Sequence, residues 1–396
     1  MKLKILHTVE SYLPARTGMS EVARQISERL VEKGHDVTIA TSELAERKDL
    51  NINGVKIEEF GIKGNIVRGL KGDKEKYIDY ILKSDFDIIS NFAAQQWATD
   101  LVLPLLSQLN SKKVFIPTGF SGLYLRKYKN YYNKMAEWMK LYDMNVFLSE
   151  KYRDIEFARH NGLKNIKVIP NGADEKEFLE DTGIDFRYNY GIDKDDFMIL
   201  HVGSRTGFKG HSEALSIFSR ANINNSILIM IGNEGVGLYK SLMKIFDVKL
   251  VLFNKSLSQK VLNKKVIVLN LSREETVQAF KEADLFLFPS NIECSPLVLF
   301  ECLASKTPFL VTDVGNSSEI IEWSDSGFLM PTKIFRGLSK AKIKESVTIL
   351  EQFYHNREMR VKMAESGFNE WQKRFTWEKI ADDYEKLYLS LMENSD

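Results

Sequence analysis

Lys4-Ile5-Leu6-His7-Thr8 is a short apolar run, and a second one, His35-Asp36-Val37-Thr38-Ile39-Ala40-Thr41, follows one helix later. Between them lie a loop with Pro14 and Gly18 and a segment whose apolar residues Val22, Ile26, Leu30 and Val31 recur at helical spacing. Gly34 closes that helix as a C-terminal cap. Strand, helix and strand in this order need a crossover connection. The two strands therefore run parallel, and the sheet they start is doubly wound.

The alternation continues outward from this unit. Strands are expected at Val55 to Phe60, Phe86 to Asn91, Lys113 to Pro117, Met144 to Ser149 and Ile166 to Pro170, with a helix from about Thr99 to Leu109. Asp174 to Asp196 is charged and lacks apolar periodicity, so it reads as a connector. A second series follows: strands at Met198 to Gly203, Ser226 to Gly232, Val248 to Phe253, Val266 to Leu269, Ala283 to Pro289 and Thr307 to Thr312, with a helix from about Ser212 to Ala221. Trp377 to Met392 ends the chain as a helix with Ile380, Tyr384 and Tyr388 on one face. The division predicted is 1–185 and 186–375, with 376–396 returning to the first part. A length of 396 residues accommodates two α/β domains. Open sheets of this kind bind ligands beyond the carboxyl ends of their strands, and two of them make the space between them the default site.

Composition excludes several classes. The formal net charge is +1, so no global field draws the chain to nucleic acid. Cys294 and Cys302 are the only cysteines, which rules out a disulfide framework and any zinc spacing. The N-terminal apolar run is too short for a signal peptide, and no stretch approaches the ~20 apolar residues of a membrane span. A cytoplasmic chain is expected, touching membrane only at its surface.

One motif carries chemistry. After the strand ending at Pro289 comes Ser290-Asn291-Ile292-Glu293-Cys294-Ser295-Pro296-Leu297-Val298-Leu299-Phe300-Glu301. Ser295 is a natural N-cap and Pro296 a natural first helical residue. The free N–H groups of Leu297 and Val298 then form an anion site suited to a diphosphate. Glu293 precedes the helix and can reach a sugar held beside that phosphate. Glu301 lies roughly 7–8 Å along the helix, a suitable reach to ribose hydroxyls, and a carboxylate can accept from two vicinal hydroxyls at once.

With these residues in place, the chain resembles glycosyltransferase family 4, retaining enzymes of the GT-B fold with two Rossmann-like domains. Ala283 to Ser290, Glu293 to Glu301, and Asp313-Val314-Gly315 with Glu319 resemble that family's donor signature. Asn171-Gly172-Ala173-Asp174 with Phe178 resembles its hinge, and Val202-Gly203-Ser204-Arg205 with Lys209-Gly210 its phosphate clamp. Phe375-Thr376-Trp377 with Tyr384 and Tyr388 resembles its closing helix, which crosses back to the first domain. The resemblance implies that Arg205 and Lys209 bind the donor diphosphate and stabilise it as leaving group. Two cations converging on developing charge need no metal and no cofactor. It implies that Glu293 contacts the donor sugar and Glu301 the ribose, and that Gly18, Gly203 and Ser204 approach the donor. Base contacts are expected near Asn270 and Leu271, with uridine preferred over guanosine. Attack on the sugar is expected from the front face, without an enzymic nucleophile.

The sequence departs from the family's pattern in places. The first loop, Thr17-Gly18-Met19-Ser20, has one glycine where two are common. Cys294-Ser295-Pro296 replaces a glycine-rich turn. No histidine follows Ile116-Pro117-Thr118-Gly119-Phe120, so Thr118 and Gly119 are the candidates to face the sugar. Asn91, Gln95, Gln96, Trp97 and Asp100 read either as an acceptor pocket or as a helix start with a packing tryptophan. His160, His201 and His211 read as structural. Asp193-Lys194-Asp195 reads as a solvated turn and not as a metal site. Residues 112–140 are basic with interleaved tyrosines, and read as a solvated helix with tyrosines packed beneath it; the alternative is docking on anionic lipid.

The reading is a glycosyltransferase whose first domain and last helix bind a saccharide or lipid-linked acceptor and whose second domain binds a nucleotide-sugar, in surface polysaccharide or glycolipid assembly. The alternatives are a nucleotide-sugar epimerase of the same fold and a non-catalytic nucleotide-sugar-binding partner.

Overall fold

A computed structural model describes residues 1–232, 264–335 and 337–393. The strand expected at 248–253 lies outside them. The chain divides into two compact units, Met1–Asn171 with Trp377–Asp396, and Gly172–Thr376. Each is built on a sheet with helices packed against it.

The first unit holds an eight-stranded sheet. Its order is Ile166–Val168, Met144–Phe147, Lys112–Ile116, Ile88–Phe92, Lys4–Thr8, Asp36–Ser42, Val55–Phe60 and Asn51–Ile52. Lys4–Thr8 pairs in parallel with Asp36–Ser42, Ile5 opposite Val37, and with Ile88–Phe92, Ile5 opposite Ile88. The first strand is therefore central, with later strands laid down on both sides of it. Only the outermost strand, Asn51–Ile52, runs antiparallel to its neighbour. The crossover helix is Gly18–Glu32, capped by Thr17 and Ser20, and Gly34 follows it at φ +95°.

The closing helix, Trp377–Glu393, belongs to this first unit. Tyr388 Oη lies 3.1 Å from His7 Nε2 and 2.8 Å from Ser90 Oγ, so one hydroxyl ties the helix to two adjacent strands. Ser27 Oγ occupies the other ring nitrogen of His7 at 2.8 Å. Burial lowers the His7 pKa to about 3, so the ring is neutral and this contact is a neutral hydrogen-bond network. At the surface Lys33 Nζ meets Glu378 at 3.0 Å and Asp382 at 2.5 Å.

The second unit holds a six-stranded sheet, all parallel, in the order Lys265–Leu269, Ser226–Ile231, Phe197–Val202, Leu285–Phe288, Phe309–Thr312 and Gly327–Met330. Its strands are buried on both faces, and alternate residues feed two cores. Met198, Leu200, Ile229, Phe286 and Phe288 enter one; Ile199, Leu228, Met230, Leu285 and Leu287 enter the other. The strand order reverses at Phe197–Val202, flanked by Ser226–Ile231 and Leu285–Phe288. That reversal is the point at which open α/β sheets take ligands.

Several elements differ from the sequence reading. The helix expected from about Thr99 to Leu109 is a short α-helical turn, Trp97–Asp100, followed by a 3-10 helix, Leu103–Gln108. Pro104 supplies no N–H and breaks the α-helical ladder there. The expected connector, Asp174 to Asp196, is folded into the second unit from its start. Ala173 N–H bonds Phe375 carbonyl at 3.0 Å, and Glu282 accepts the N–H groups of Phe186 and Arg187 at 2.8 Å each. The division thus falls at Asn171/Gly172 and not at 185/186. A hairpin, Ile62–Asn65 with Gly69–Gly72, was not foreseen.

Candidate functional site

The site in the second unit is built from the loops that leave its two switch-point strands. Phe197–Val202 ends at Gly203, and the chain runs through Ser204, Arg205 and Lys209 to Gly210 and the helix His211–Arg220. Gly210 has φ +77°, and a Cβ there would stand 2.0 Å from the Pro289 carbonyl oxygen. Only glycine lets this loop lie against the end of Leu285–Phe288. Phe208 carbonyl accepts from Asn291 N–H at 2.8 Å and Ser290 Oγ at 3.2 Å. So joined, the loops bring Lys209 to Glu293: Nζ lies 2.7 Å from Oε1 and 2.9 Å from Oε2. Ser290 Oγ donates to Glu293 Oε1 at 2.6 Å. The Glu293 side chain is 9% exposed and that of Lys209 29%, so the pair borders a surface that a ligand can reach.

Gly203 is equally constrained. Its Cβ would meet Lys209 Cβ at 3.0 Å, and its carbonyl accepts from His211 Nε2 at 3.1 Å. A Cβ on Gly232 would sit 2.1 Å from the same carbonyl oxygen. Burial lowers the pKa of His201 to about 4 and of His211 to about 2, the latter also through His201. Both rings are neutral fittings of the scaffold, as their positions in strand and helix start suggested. His160 ends the helix Arg153–His160 at the surface.

The loop from Ser290 to Pro296 is held from the far side. Gly315, at φ +60°, places its Cα where a Cβ would be 2.2 Å from Cys294 carbonyl oxygen, and Asn316 N–H donates to that oxygen at 2.9 Å. Thr312 Oγ1 donates to Ser290 carbonyl. The following helix is Leu297–Ala304, and its N-cap is Pro296, not Ser295. Pro296 keeps an extended backbone, ψ 114°, and the Ser295 hydroxyl instead accepts from Asn316 Nδ2 at 3.2 Å. Leu299 N–H returns to Pro296 carbonyl at 3.1 Å, which leaves the N–H groups of Leu297 and Val298 as the donors of the first turn. Leu299, Phe300 and Leu303 bury the rest of the helix in the core, while Leu297 and Val298 stay partly exposed.

Glu301 lies one turn further along and is 8% exposed. Arg273 Nη1 meets its Oε1 at 2.7 Å, and the same guanidinium reaches Glu177 Oε2 at 2.6 Å. Burial works to lower the Arg273 pKa, but Glu301 and Glu177 overcome it and hold it above its ordinary value. Asn270 and Leu271 directly precede the cap of the Arg273–Glu282 helix; Asn270 is exposed and Leu271 half-buried. The Leu269 carbonyl beside them accepts from Gly232 N–H at 3.2 Å and lies 3.5 Å from Arg205 Nη2, a weak contact. Three contacts thus mark this end of the unit: Lys209 with Glu293, Arg205 with the Leu269 carbonyl, and Arg273 with Glu301.

In the first unit the candidates separate. Asn91 is fully buried, donating to Thr8 Oγ1 at 2.7 Å and accepting from Tyr142 Oη at 2.8 Å. Trp97 is fully buried and gives its N–H to Ser42 Oγ at 2.9 Å. Both are interior residues, because their polar atoms are already satisfied within the core; the packing alternative describes them. Gln95 remains near the surface. Its Oε1 collects Tyr132 Oη at 2.9 Å, Gly122 N–H at 3.0 Å and Ser121 Oγ at 3.1 Å. Thr118, Gly119 and Phe120 have φ values of +56°, +98° and +44°, and Ala93 and Gln95 have +62° and +65°. Such strained non-glycine backbone gathers here just past the ends of two adjacent strands, Ile88–Phe92 and Lys112–Ile116, which is where function concentrates. Asp154 Oδ2 holds Gly119 N–H at 2.8 Å, and burial raises the pKa of Asp154 to about 6. Gly18 opens its helix exposed, with nothing within 4 Å of a Cβ placed on it.

Comparison with known proteins bears on the fold and the class of enzyme. The family described as glycosyl transferases group 1 matches residues 184–370, and glycosyltransferase family 4 matches residues 16–177. The chain is a glycosyltransferase, with a family 4 region followed by a group 1 region. Among curated relatives, the enzyme is 21% identical to N-acetyl-alpha-D-glucosaminyl L-malate synthase of Bacillus anthracis, over 99% of this chain and 98% of that one. It is 20% identical to the O-antigen biosynthesis glycosyltransferase WclY of Escherichia coli over 64% of this chain and 63% of that one. Among solved structures, a sucrose-phosphate synthase from Thermosynechococcus elongatus superposes with a TM-score of 0.79 at 16% identity, covering all of both chains. Anabaena HepE, solved with UDP and glucose, gives 0.75 at 15% identity over 98% of this chain and 100% of that one. These likenesses show the GT-B fold.

Sequence reading singles out Glu293, Lys209, Arg205 and Glu301, which the structure places on the loops and helix described above; it does not single out Arg273 or Gly232. Arg273 stands at a helix start, where a cation is disfavoured by the helix dipole; that misfit was the available signal. Among the described residues no three His, Cys, Asp or Glu side chains gather as metal ligands, and no helix is long and apolar enough to cross a membrane. In the basic segment Tyr128, Tyr131 and Tyr132 are buried beneath the helix Lys129–Leu141, as the packing reading has it. Tyr124 and Leu125 are exposed, 77% and 50%, beside a surface cavity of about 490 Å³ that Arg126 and Lys129 also line.

Proposed function

We propose that this glycosyltransferase moves a hexosyl group from a nucleoside diphosphate sugar, UDP-linked in the first instance, to a saccharide or lipid-linked acceptor with retention at the anomeric carbon. The observation that carries the proposal is the Lys209–Glu293 pair set beside the open N–H groups of Leu297 and Val298. An anion arriving at that helix start meets amide donors, a helix dipole and a lysine. Lys209 turns to the diphosphate, and Glu293 is left to accept hydroxyls of the donor sugar. Arg205 is the second cation, with Gly203 and Ser204 giving close approach. Charge on the departing diphosphate is met by these groups, so no metal is needed. Glu301 takes the ribose, and Asn270 and Leu271 lie on the base side. HepE, solved with UDP and glucose, supports the uridine donor.

Acceptor recognition belongs in this reading to the first unit, at the strained strand ends around Gln95, Thr118 and Gly119. The relative in O-antigen biosynthesis supports a role in surface polysaccharide or glycolipid assembly. Exposed Tyr124 and Leu125 beside Arg126 and Lys127 would let a lipid-linked acceptor be met at an anionic membrane surface, from the cytoplasmic side. The test is Glu293→Ala. Transfer collapses while the nucleoside diphosphate still binds, and NMR of the wild-type product shows a retained anomer. Full activity in the variant, or an inverted product, refutes the assignment.

A further inference from the structure

We infer that Arg273 is the positioning residue that fixes Glu301 for recognition of the ribose, and that it ties this recognition to the segment opening the second unit. The inference rests on the reading of Leu297–Ala304 as the nucleotide-binding helix.

Arg273 is placed against local preference. It is the first residue of the helix Arg273–Glu282, where the aligned peptide dipoles present partial positive charge. Nothing in that helix's capping box, formed by Ser272 and Glu275, requires an arginine beside it. What does account for it is the pair of carboxylates on other elements. Nη1 lies 2.7 Å from Glu301 Oε1. Nη2 and Nε lie 2.6 and 3.0 Å from Glu177 Oε2. The guanidinium sits over Phe178, 5.8 Å from the ring centroid. One planar fork therefore joins the donor helix to the helix Glu175–Leu179, which follows directly on Asn171-Gly172-Ala173-Asp174.

The geometry suits a helper and not a competitor. A carboxylate has about four lone-pair sites, so the bond from Arg273 to Oε1 does not by itself exclude a hydroxyl donor. With its rotation fixed by the guanidinium, Glu301 meets a vicinal diol without first losing side-chain freedom. A lysine cannot reproduce this, because its single ammonium cannot hold two carboxylates in fixed planes.

The experiment uses the full chain and isothermal titration with UDP, GDP and their 2′-deoxy counterparts. Wild type binds the ribonucleotide about tenfold tighter than its deoxy form, the size of one charge-assisted hydrogen bond. Arg273→Gln weakens ribonucleotide binding and brings the ratio close to one; Arg273→Lys lies between. The double variant Arg273→Gln with Glu177→Gln removes one of the two carboxylates that lose the guanidinium and so guards against loss of fold. It shows the same collapsed ratio with a cooperative thermal transition. A wild-type ratio retained in folded Arg273→Gln or in the double variant overturns the inference alone. A wild type that binds neither nucleotide, or does not prefer the ribose form, overturns the donor-site reading and the inference with it.

Discussion

Removing the charge of Glu293 should tighten the binding of bare nucleoside diphosphate while slowing transfer. In the free enzyme Lys209 Nζ sits between both carboxylate oxygens, at 2.7 and 2.9 Å. A diphosphate must draw that ammonium away from Glu293, and without a sugar present nothing replaces it. Each hydrogen bond to a charged group contributes about 1.5–3 kcal/mol, but the Lys209 side chain is 29% exposed and solvent screens the pair. A net cost on the order of 1 kcal/mol remains, which is about fivefold in affinity. Glu293→Gln keeps the shape and an acceptor for Ser290 but removes the negative charge that attracts the Lys209 ammonium. Titration with UDP or GDP should then show a dissociation constant about fivefold lower than wild type, with the gain shrinking at high salt. Transfer should fall by about 10²–10³, the usual loss when one preorganised group at the reacting centre is removed. Weaker binding of the diphosphate in Glu293→Gln, or transfer at the wild-type rate, would show that the two residues do not share the donor as argued.

Acid should loosen the second unit before the first. His201 and His211 are buried neutral, with pKa values lowered from 6.5 to about 4 and about 2, so their contribution is complete above pH 6.5 and is lost as pH falls toward those values. Between pH 7 and 5 each costs on the order of 2 kcal/mol. In the first unit His7 acts the same way, but Asp100 and Asp154, raised by burial from 3.8 to about 6, gain stability over that interval and offset it. Hydrogen exchange should show strands 197–202 and 226–231 losing protection first, and equal loss in both sheets would argue against it. Tyr388→Phe should cost roughly 1–3 kcal/mol by leaving His7 and Ser90 short of a partner; an unchanged denaturation midpoint would mean the closing helix is held by packing alone. Reversing charge at Lys127 and Lys129 should weaken co-sedimentation with vesicles rich in anionic lipid and leave transfer to a soluble acceptor intact. Unchanged co-sedimentation would dismiss membrane contact through this face.

The two sheets were legible because most of their strands are short apolar runs separated by helical periodicity. The donor loops were legible because glycine and proline sit where the backbone must turn or approach closely, as at Gly210 and Gly315. What could not be read is where a polar side chain spends its hydrogen bonds. Asn91 and Trp97 follow a strand like binding residues, yet Thr8, Tyr142 and Ser42, distant in sequence, take their polar atoms. Ser295 looks like a helix cap until Asn316 takes its hydroxyl. The charged stretch after Asp174 looks like a solvated connector because its partners, Arg273 and Glu282, lie far along the chain.

The central claim is that the loops after Phe197–Val202 and Leu285–Phe288 hold a nucleoside diphosphate sugar. The most direct measurement is thermal unfolding of wild type, Arg205→Ala and Lys209→Ala with UDP, GDP, ADP and their glucose conjugates. At about 100 times its dissociation constant, a ligand adds ~2.7 kcal/mol of stability to the wild type. The account predicts that one base raises the wild-type transition and that both variants lose most of the rise. A wild type unmoved by every nucleotide, or variants stabilised as fully as wild type, would contradict it.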